Sequence, residues 1–394
     1  MILRFFLLIG LLTSLSLSAI DVRLSSQAAI LVNSDNGAVL FEKNSDEEHY
    51  PASITKVATA LYAMEMSDMS SQELVEGVQD AIGAISTAAK KKYNYTKPAY
   101  WLEFGSSHIG IKKGERLPVE ALFYGMMLSS GNDAANMIAY YVSGSVPRFM
   151  DELNAYIKEL GCSGTTFYNP HGLFYPGHVT TARDMSIIAR KAIEKEYFRE
   201  VVGAKRYKRP QTNLQKPSWM LNFNKLLFKG EHYYPYAIGI KTGYCFNAQN
   251  TLVAAAEKDG RTLVAVLLYC DERDNLFRDA RILFEAAFKE SAVEKTLFSK
   301  GVKDYIVEID KAKNDLRVYL ENDLTVKYFP SEKASFKAVI HWNELVLPIK
   351  QGSEVGFIQI VDEKNAKIVR TEPLLAYNDV NKSCWSSIRA FFSI

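Results

Sequence analysis

The spacing of apolar residues changes at about Ser291, and this change constrains the fold more than any other feature of the chain. Before it, apolar residues recur mainly at helical spacing, whereas after it short alternating runs such as 316–320 are separated by polar turns. Alternating runs of this length are typical of strands. A length of 394 residues suits two domains. We therefore predict an α+β domain over residues 20–290 and a small all-β domain over residues 291–377.

Paired apolar runs frame the first part of the chain. They are 27–32 with 38–42, around Asn36-Gly37, and 251–256 with 262–269, around Asp259-Gly260. Both dipeptides favour a tight hairpin, because the two central residues of such a turn take positive φ. One hairpin lies early and the other late, so we predict a single antiparallel sheet that both ends of the domain complete. Between them, a helix is predicted from Ser145, which can cap it, to Gly161, which can end it.

The first residues have the pattern of a secretory signal peptide. Arg4 supplies a positive charge, an apolar stretch runs from Phe5 to Leu17, and Ser16 and Ser18 supply the small residues of a cleavage site. An uncleaved anchor is the alternative, although the apolar run is short for a membrane span. We predict that residues 1–19 direct export and are then removed.

The last residues have the pattern of an amphipathic helix. One helical face would carry Val380, Cys384, Ile388 and Phe391, widened by Trp385 and Phe392, with Lys382 and Arg389 outside it. Aromatic and basic residues in this arrangement suit the boundary between lipid headgroups and acyl chains. We predict that residues 378–394 bind a membrane surface; the alternative is a terminal helix packed on the protein.

Charge and cysteine spacing exclude other classes of protein. The formal net charge is +2 and basic residues are not clustered, so nucleic acid is not expected as a partner. The four cysteines are far apart, which gives neither a disulfide framework nor a zinc pattern, and no metal or cofactor is expected. Buried free thiols are the simplest interpretation. Cys245 and Cys270 are nevertheless expected at the same end of the sheet, where an oxidising compartment would permit a disulfide.

Three short motifs, in this order, contain the residues that could form a catalytic site. They are Ser53-Ile54-Thr55-Lys56, Ser130-Gly131-Asn132 and Lys241-Thr242-Gly243, and the first is the only Ser-x-x-Lys of the chain. A serine hydroxyl is a poor nucleophile until a base removes its proton. Residues three apart share a helix face, so Lys56 can reach Ser53. Lysine is a base only when neutral, which burial and a second cation such as Lys241 would favour.

The other two motifs suit binding of an acyl substrate. Ser130 lies in a predicted turn between helices and can relay a proton, while the Asn132 amide can hold a substrate carbonyl. Lys241 and Thr242, at the end of a predicted strand, can grip an anionic group, and Gly243 lets a ligand approach the backbone. The N–H groups of Ser53 and Tyr244 are candidates for an oxyanion hole. Taken singly, each motif also fits an ordinary helix cap, turn or strand end.

Together the motifs are a signature of class A β-lactamases and penicillin-binding proteins. From about Ala28 to Tyr377 the chain resembles the D-alanyl-D-alanine carboxypeptidases, which are low-molecular-mass penicillin-binding proteins. Supporting stretches include 37–43, 129–135, 178–184 and 239–244. The resemblance implies a β-lactamase/transpeptidase-like catalytic domain followed by a β-rich domain and a C-terminal amphipathic anchor.

The resemblance also implies roles for the motif residues. Ser53 would be the acylated nucleophile, Lys56 its base and Ser130 the proton relay, with Asn132 contacting a substrate amide. Lys241 and Thr242, beside Gly243 and Tyr244, would bind the terminal carboxylate. The implied substrates are peptidoglycan stem peptides and the implied inhibitors are β-lactams. The implied location is the periplasmic side of the inner membrane, with peripheral attachment.

The sequence departs from the family pattern at the edge of the predicted cleft. Cys245 and Gln249 stand where the family often has Thr and Gly. The segment from about Val75 to Phe104 is longer than usual. Its aromatic residues are candidates for a substrate wall or for local packing: Tyr93, Tyr95, Tyr100 and Trp101.

Three other functions are alternatives to a carboxypeptidase. A β-lactamase of class A would need a Glu-x-x-Leu-Asn loop between the second and third motifs, and the sequence has none. A D,D-endopeptidase would share the fold and the motifs. A non-catalytic module that binds cell-wall peptides would not need Ser53, Lys56, Ser130 and Lys241 all intact.

Overall fold

The structure, a computed structural model, describes residues 20–332, 334–364 and 366–383. These residues form two compact units, of which the first ends at Lys289 and the second begins at Glu290. The signal peptide predicted for residues 1–19 lies outside the described residues.

The first unit combines helices with an antiparallel sheet. Its helices are α1 (Thr55–Met66), α2 (Gln79–Ile82), α3 (Thr87–Lys92), α4 (Val119–Met127), α5 (Asn132–Ser143), α6 (Val146–Glu159), α7 (Ala182–Ile193), α8 (Glu196–Gly203) and α9 (Arg273–Phe288). Its strands are β1 (Ala28–Asn33), β2 (Val39–Lys43), β3 (Leu74–Glu76), β4 (Ala84–Ile85), β5 (Leu102–Glu103), β6 (Arg116–Pro118), β7 (Arg206–Arg209), β8 (Ser218–Leu221), β9 (Ala237–Cys245), β10 (Gln249–Lys258) and β11 (Arg261–Cys270).

Five of these strands form the central sheet in the order β2-β1-β11-β10-β9, all antiparallel. This confirms the prediction of one sheet completed by both ends of the domain. At the late hairpin both Asp259 and Gly260 have positive φ, as predicted. At the early hairpin only Gly37 does. Asn36 instead accepts a hydrogen bond from the Ala38 N–H through its side chain, as is common for Asn in turns.

Both faces of the central sheet are covered, so its inner strands are buried throughout. Along β1, Ile30 and Val32 pack into the core shared with α1 and α4 to α8, whereas Ala29 and Leu31 pack against α9. Burial on two faces explains why these strands read as continuous apolar runs. The helix predicted between Ser145 and Gly161 is confirmed as α6, with the Ser145 hydroxyl accepting from the Arg148 N–H.

The second unit contains β-strands and a single short 3-10 turn in the residues described. The strands are β12 (Val293–Phe298), β13 (Gly301–Val307), β14 (Leu316–Leu320), β15 (Leu324–Tyr328), β16 (Phe336–Trp342), β17 (Glu354–Asp362) and β18 (Lys367–Ala376). Five form a sheet in the order β13-β14-β18-β17-β16, while β12 pairs with β15. The prediction of an all-β region after the first domain is therefore confirmed.

The predicted C-terminal helix does not begin at residue 378. Val380 is fully buried in the core of the second unit and forms a β-bridge with Ile349. Lys382 forms a second bridge with Ala312. The segment up to Ser383 is therefore extended and belongs to the β unit, and the remainder of the predicted helix, residues 384–394, lies outside the described residues. Within the described ranges, no helix is both long and apolar enough to cross a membrane.

The predicted disulfide between Cys245 and Cys270 is wrong, because both are free thiols. Both do lie at the same end of the sheet, opposite Gln249 and Asn250. However, β10 separates their strands. Two strand spacings amount to about 10 Å, whereas the Cα atoms of a disulfide lie within about 7 Å of each other.

A buried ion pair fixes the loop that precedes β6. Arg209 pairs with Glu115, and both side chains are almost fully buried. Arg209 also donates to the Ile109 carbonyl at 2.8 Å. From the other side, the Asp133 carboxylate accepts from the N–H groups of Ile109, Gly110 and Ile111. The loop is thus tied both to β7 and to the first turn of α5.

We predict that Arg209→Met destabilises the protein strongly, because it leaves the Glu115 carboxylate buried without its cation. Removing one partner of a buried pair typically costs about 3–5 kcal/mol. Arg116→Met is the matched control, since the Arg116–Glu76 pair at 3.3 Å is exposed, and such pairs contribute at most about 1 kcal/mol. Urea unfolding of both variants measures the difference; equal losses would contradict the assignment.

Candidate active site

Ser53 and Lys56 meet because the chain makes one tight turn before α1. Residues Ala52–Ile54 form a 3-10 turn, in which side chains three apart eclipse. The Lys56 Nζ lies 3.0 Å from the Ser53 Oγ. The turn is held by two hydroxyls, since Thr55 donates to the Ala52 carbonyl and Thr251 donates to the Pro51 carbonyl.

The Lys56 amine is fully buried and surrounded by oxygen atoms. Besides Ser53 Oγ, it lies 2.7 Å from Asn132 Oδ1 and 2.8 Å from the His171 carbonyl oxygen. Burial holds the pKa of Lys56 well below its usual range, and the Lys241 cation lowers it further, against the opposing charge of Asp133. Burial and the Lys241 cation thus both favour the neutral form of the side chain.

A neutral amine at this position has only one way to satisfy its neighbours. It has two N–H groups and one lone pair, and carbonyl oxygens can only accept. The two N–H groups therefore go to Asn132 and His171, which leaves the lone pair facing the Ser53 hydroxyl. In this protonation state the amine can accept the proton of Ser53.

The second motif reaches the same amine through Asn132, the first residue of α5. Because its Oδ1 accepts from Lys56, its amide nitrogen keeps two N–H donors for another carbonyl. Ser130, two residues earlier, is buried and has a φ of 58°, an uncommon conformation for a residue with a side chain. Asp133 ties the first turn of α5 to the loop 109–111 through the contacts described above.

The third motif lies on β9, at the edge of the central sheet. Lys241 is buried and donates to the Thr242 carbonyl at 2.9 Å. Burial, and secondarily the guanidinium of Arg273, lowers the pKa of Lys241 to about 7. Arg273 is exposed at the start of α9. The sequence did not single it out, because only the fold brings α9 close to β9.

Gly243 lies directly against the nucleophile turn. A Cβ atom placed on it would lie 2.9 Å from the Ser53 nitrogen, 2.4 Å from Thr251 Oγ1 and 3.0 Å from the Pro51 carbonyl oxygen. A larger residue would therefore push β9 away from Ser53. Tyr244, the next residue, is exposed. The structure thus brings together Ser53, Lys56, Asn132 and Gly243, with Lys241 close enough to act on the charge of Lys56.

Sequence reasoning missed the contribution of residues 171–178. The His171 carbonyl holds Lys56, and a Cβ atom on Gly172 would lie 1.8 Å from the Ala52 carbonyl oxygen. His178 accepts from the Tyr168 N–H through Nδ1, so its Nε2–H donates to Thr55 at 3.0 Å. Burial lowers the pKa of His178 to about 3, which keeps it neutral. The segment contributes backbone atoms and neutral contacts, which leave little signal in a sequence.

The aromatic residues of the long segment before Phe104 lie in different surroundings. The Tyr100 hydroxyl donates to Asp80, and its carbonyl accepts from His171. Tyr93 is exposed, with Lys97 over its ring. Tyr95 alone joins a run of rings beside the nucleophile turn. In the described part of the chain, no group of His, Cys, Asp or Glu side chains is arranged to hold a metal ion.

Comparison with protein-family models gives two matches. The model described as D-alanyl-D-alanine carboxypeptidase, peptidase family S11, matches residues 16–272. The model described as the C-terminal domain of penicillin-binding protein 5 matches residues 294–382. The two matches together span most of both structural units.

Comparison with individual sequences and solved structures also finds D-alanyl-D-alanine carboxypeptidases. A D-alanyl-D-alanine carboxypeptidase of Bacillus subtilis, DacF, is 28% identical over 362 residues, which is 91% of this chain and 86% of that protein. The crystal structure of a D-alanyl-D-alanine carboxypeptidase from Mycobacterium tuberculosis has a TM-score of 0.55 and 29% identity, over 68% of this chain and 92% of that one. Penicillin-binding protein 5 of Haemophilus influenzae shares the fold, with a TM-score of 0.61 at 23% identity, over 92% of this chain and 99% of that one.

Proposed function

The chain belongs to the D-alanyl-D-alanine carboxypeptidase family and is a serine enzyme of that activity, and we propose that Ser53 is its nucleophile. Enzymes of this kind remove the terminal D-alanine from peptidoglycan stem peptides through an acyl-serine, and penicillins acylate the same serine. The observation that carries the proposal is the buried Lys56 amine, which lies 3.0 Å from the Ser53 Oγ, 2.7 Å from Asn132 Oδ1 and 2.8 Å from the His171 carbonyl oxygen.

The proposed acylation uses residues of all three motifs. Lys56 takes the Ser53 proton as the Oγ attacks the carbonyl carbon of the penultimate D-alanine. The N–H groups of Ser53 and Tyr244 stabilise the oxygen anion that develops. Ser130 gives its proton to the departing D-alanine nitrogen as the peptide bond breaks and receives the proton held by Lys56, which leaves Lys56 neutral for the next step. The Asn132 amide holds the carbonyl of the preceding peptide bond, which fixes the acyl group relative to Ser53.

The terminal carboxylate of the substrate selects the bond to be cut. Lys241 and Thr242 bind it, with the Arg273 guanidinium as a second cation. Lys241 is almost completely buried, so an arriving carboxylate finds an ammonium that water solvates poorly, and the pairing is strong for that reason. The carboxylate of a penicillin has the same charge and would use the same site.

Hydrolysis of the acyl-enzyme completes the cycle. The ester formed at Ser53 leaves Lys56 facing the same position, now open to water once D-alanine has left. Lys56 again accepts a proton, this time from the attacking water, and returns it to Ser53 as the ester bond breaks. The products are the shortened peptide and the free enzyme.

Export and peripheral attachment complete the proposal. Residues 1–19 would act as the signal peptide, and the catalytic and β units would lie on the periplasmic side of the inner membrane. Because the chain is paired in the β unit up to Ser383, the membrane-binding part would be residues 384–394. This stretch contains Trp385, Ile388, Phe391 and Phe392, with Arg389 for anionic headgroups.

Two variants test the nucleophile and its base. Ser53→Ala should abolish labelling by a fluorescent penicillin. Lys56→Arg should slow labelling by about 10²–10⁴-fold, the range expected for a general base, because a guanidinium does not become neutral. Thermal unfolding of each variant serves as the folding control. Full labelling of a folded Ser53→Ala variant would disprove the assignment.

The pH dependence tests Lys241. Only its protonated form attracts a carboxylate, so a pKa of about 7 in the free enzyme predicts that binding weakens as pH rises through 7. Measuring kcat/KM for a D-Ala-D-Ala peptide acid and for its amide isolates this effect, since both substrates use the same base. The ratio of acid to amide should fall between pH 6 and pH 9 without reaching unity, because Arg273 stays charged.

Lys241→Arg is the control for the pH experiment. An arginine keeps its charge over this range, so the acid-to-amide ratio of this variant should not change with pH. A wild-type ratio that is equally constant would remove Lys241 from carboxylate recognition.

Two truncations test the anchor. Removing residues 384–394 should release active enzyme from membranes into the soluble fraction, with unchanged turnover of small peptides. Removing residues 379–394 should in addition lower the unfolding midpoint of the β unit, because Val380 leaves its core. If the shorter truncation still sediments with membranes, or if the full chain never does, the anchor proposal is wrong.

A further inference from the structure

Strands β7 and β8 form a two-stranded ribbon whose faces have different surroundings. The register places Arg206 opposite Leu221 and Lys208 opposite Trp219. Side chains alternate between the two faces along a strand, and residues directly opposite each other share a face. These four side chains therefore lie on one side of the ribbon, and all four are exposed. We call them the outer face.

The inner face of the ribbon is packed on the first unit. The Tyr207 ring stacks on Tyr124 of α4, with ring centroids 4.1 Å apart, and Met220 is buried. Arg209 forms the buried ion pair with Glu115 described above. The ribbon is thus held from its inner side, and the outer face points away from the core of this unit.

Large apolar side chains stand on and beside the outer face. Trp219 is 55% exposed and Leu221 is 53% exposed. Phe223, two residues further along the chain, and Leu214, in the loop that joins β7 to β8, are exposed as well. Single exposed apolar side chains are common on soluble proteins, whereas neighbouring ones mark a surface that binds a partner.

Positive charge accompanies these apolar side chains. Between Glu200 and Glu231 the sequence contains seven Lys or Arg residues and no Asp or Glu. This stretch is an exception to the even spread of basic residues expected from the sequence, and the net charge of the whole chain does not show it. Among the residues that the structure describes, two of the seven form ion pairs, Arg209 and Lys225. The other five are exposed: Lys205, Arg206, Lys208, Lys216 and Lys229.

Arg206 and Trp219 contact each other across the ribbon. The guanidinium lies 4.6 Å from the centroid of the Trp219 ring, a distance at which a cation and an aromatic face attract each other. The contact holds a positive charge and a large ring side by side. A layer of anionic lipid offers a partner to each, because its phosphate groups attract the cation and its headgroup boundary accommodates the ring.

We propose that the outer face of the ribbon is a docking surface for an anionic phospholipid membrane. Lys and Arg are attracted to the negative surface of such a membrane, and Trp and Leu enter the boundary between headgroups and acyl chains. The charges alone would also suit an anionic cell-wall polymer. Leu221 beside Trp219 favours lipid, because a polar polymer offers no apolar partner to an aliphatic side chain. The inference rests on the proposed export, which brings the protein to a membrane surface, and not on the proposed chemistry of Ser53.

The ribbon supplements the proposed C-terminal anchor and does not replace it. A surface contact made by a few basic and apolar side chains is weak and reversible. On a protein that is already tethered, however, a second contact acts at a high effective concentration. The ribbon therefore raises the affinity of the full chain for anionic vesicles, whereas removal of residues 384–394 still releases the enzyme.

Vesicle sedimentation of the full mature chain tests the charges. The wild type should bind mixed phosphatidylglycerol and phosphatidylcholine vesicles more tightly than vesicles of phosphatidylcholine alone. Arg206→Gln combined with Lys208→Gln should weaken binding to the mixed vesicles by about 25-fold, since each basic residue near an anionic surface contributes a factor of about five. The loss should shrink at high salt, which screens the charges. Lys91→Gln combined with Lys92→Gln removes the same charge from the exposed end of α3 and should leave binding unchanged.

Two further substitutions test the apolar part of the outer face. Leu221→Ala should weaken binding to the mixed vesicles by about fourfold or more, the contribution of each methylene group that leaves water. Leu74→Ala removes a Leu that is 59% exposed on β3 and is the matched control, which should bind as the wild type does. Trp219→Phe keeps a large ring and should keep binding. Lipids with brominated acyl chains should quench the tryptophan fluorescence of the wild type more than that of Trp219→Phe.

The outcomes separate this surface from the other proposals. Thermal unfolding and turnover of a soluble D-Ala-D-Ala peptide should be unchanged in every variant, because the substituted side chains are exposed. Equal effects of the ribbon variants and their controls, equal binding of the wild type to both kinds of vesicle, or equal quenching would overturn the docking surface. Loss of binding to isolated cell wall, with vesicle binding unchanged, would assign the outer face to a polymer and overturn the lipid. A wild type that binds no vesicles would contradict both this surface and the C-terminal anchor, whereas a failure of penicillin labelling would count only against the proposed chemistry.

Discussion

The whole site depends on one buried amine. Lys56 is sealed from water, and its nitrogen is shared among Ser53, Asn132 and the His171 carbonyl. These groups come from the start of α1, the start of α5 and a loop, so the amine joins three separate parts of the chain. An ammonium in this position would donate to all three oxygens but lose its hydration, whereas a neutral amine keeps two of these hydrogen bonds and can accept one from Ser53. Burial therefore favours the neutral amine that the proposed role of Lys56 as a base requires.

The sheet complements this arrangement from the other side. Gly243 on β9 and the Thr251 hydroxyl on β10 both contact the nucleophile turn, so the sheet edge and the helical core meet at Ser53. α9 covers the opposite face of the sheet and brings Arg273 toward Lys241. The relative positions of the site residues thus follow from packing on both faces of a single sheet.

The sequence predicted the features that depend on residue type and short spacing. Ser53 and Lys56 are three apart, and Asp259-Gly260 marks its hairpin by itself. The sequence did not predict the contact between Lys56 and the His171 carbonyl, because a backbone oxygen leaves no residue-type signal. Arg273 and the pairing of Val380 with Ile349 were missed for a related reason, since both depend on long-range contacts. Val380 is the first residue of the predicted helical face, and a single apolar residue there fits the end of a strand as well as the start of a helix. The disulfide between Cys245 and Cys270 was predicted wrongly because the local sequence indicates where strands lie along the chain but not which strands pair with each other.

The edge position of β9 has a consequence for how the protein behaves in a crowded compartment. Among the described residues, β9 pairs with β10 alone, so its outer side keeps backbone groups for another extended chain. Such an open edge is where proteins aggregate. The Ser53 turn packs on the face of the sheet, against Gly243 and Thr251, so it does not itself pair with this edge. An extended chain that paired with this edge would lie beside Ser53, so the backbone groups that invite association would also bring a peptide to the serine hydroxyl.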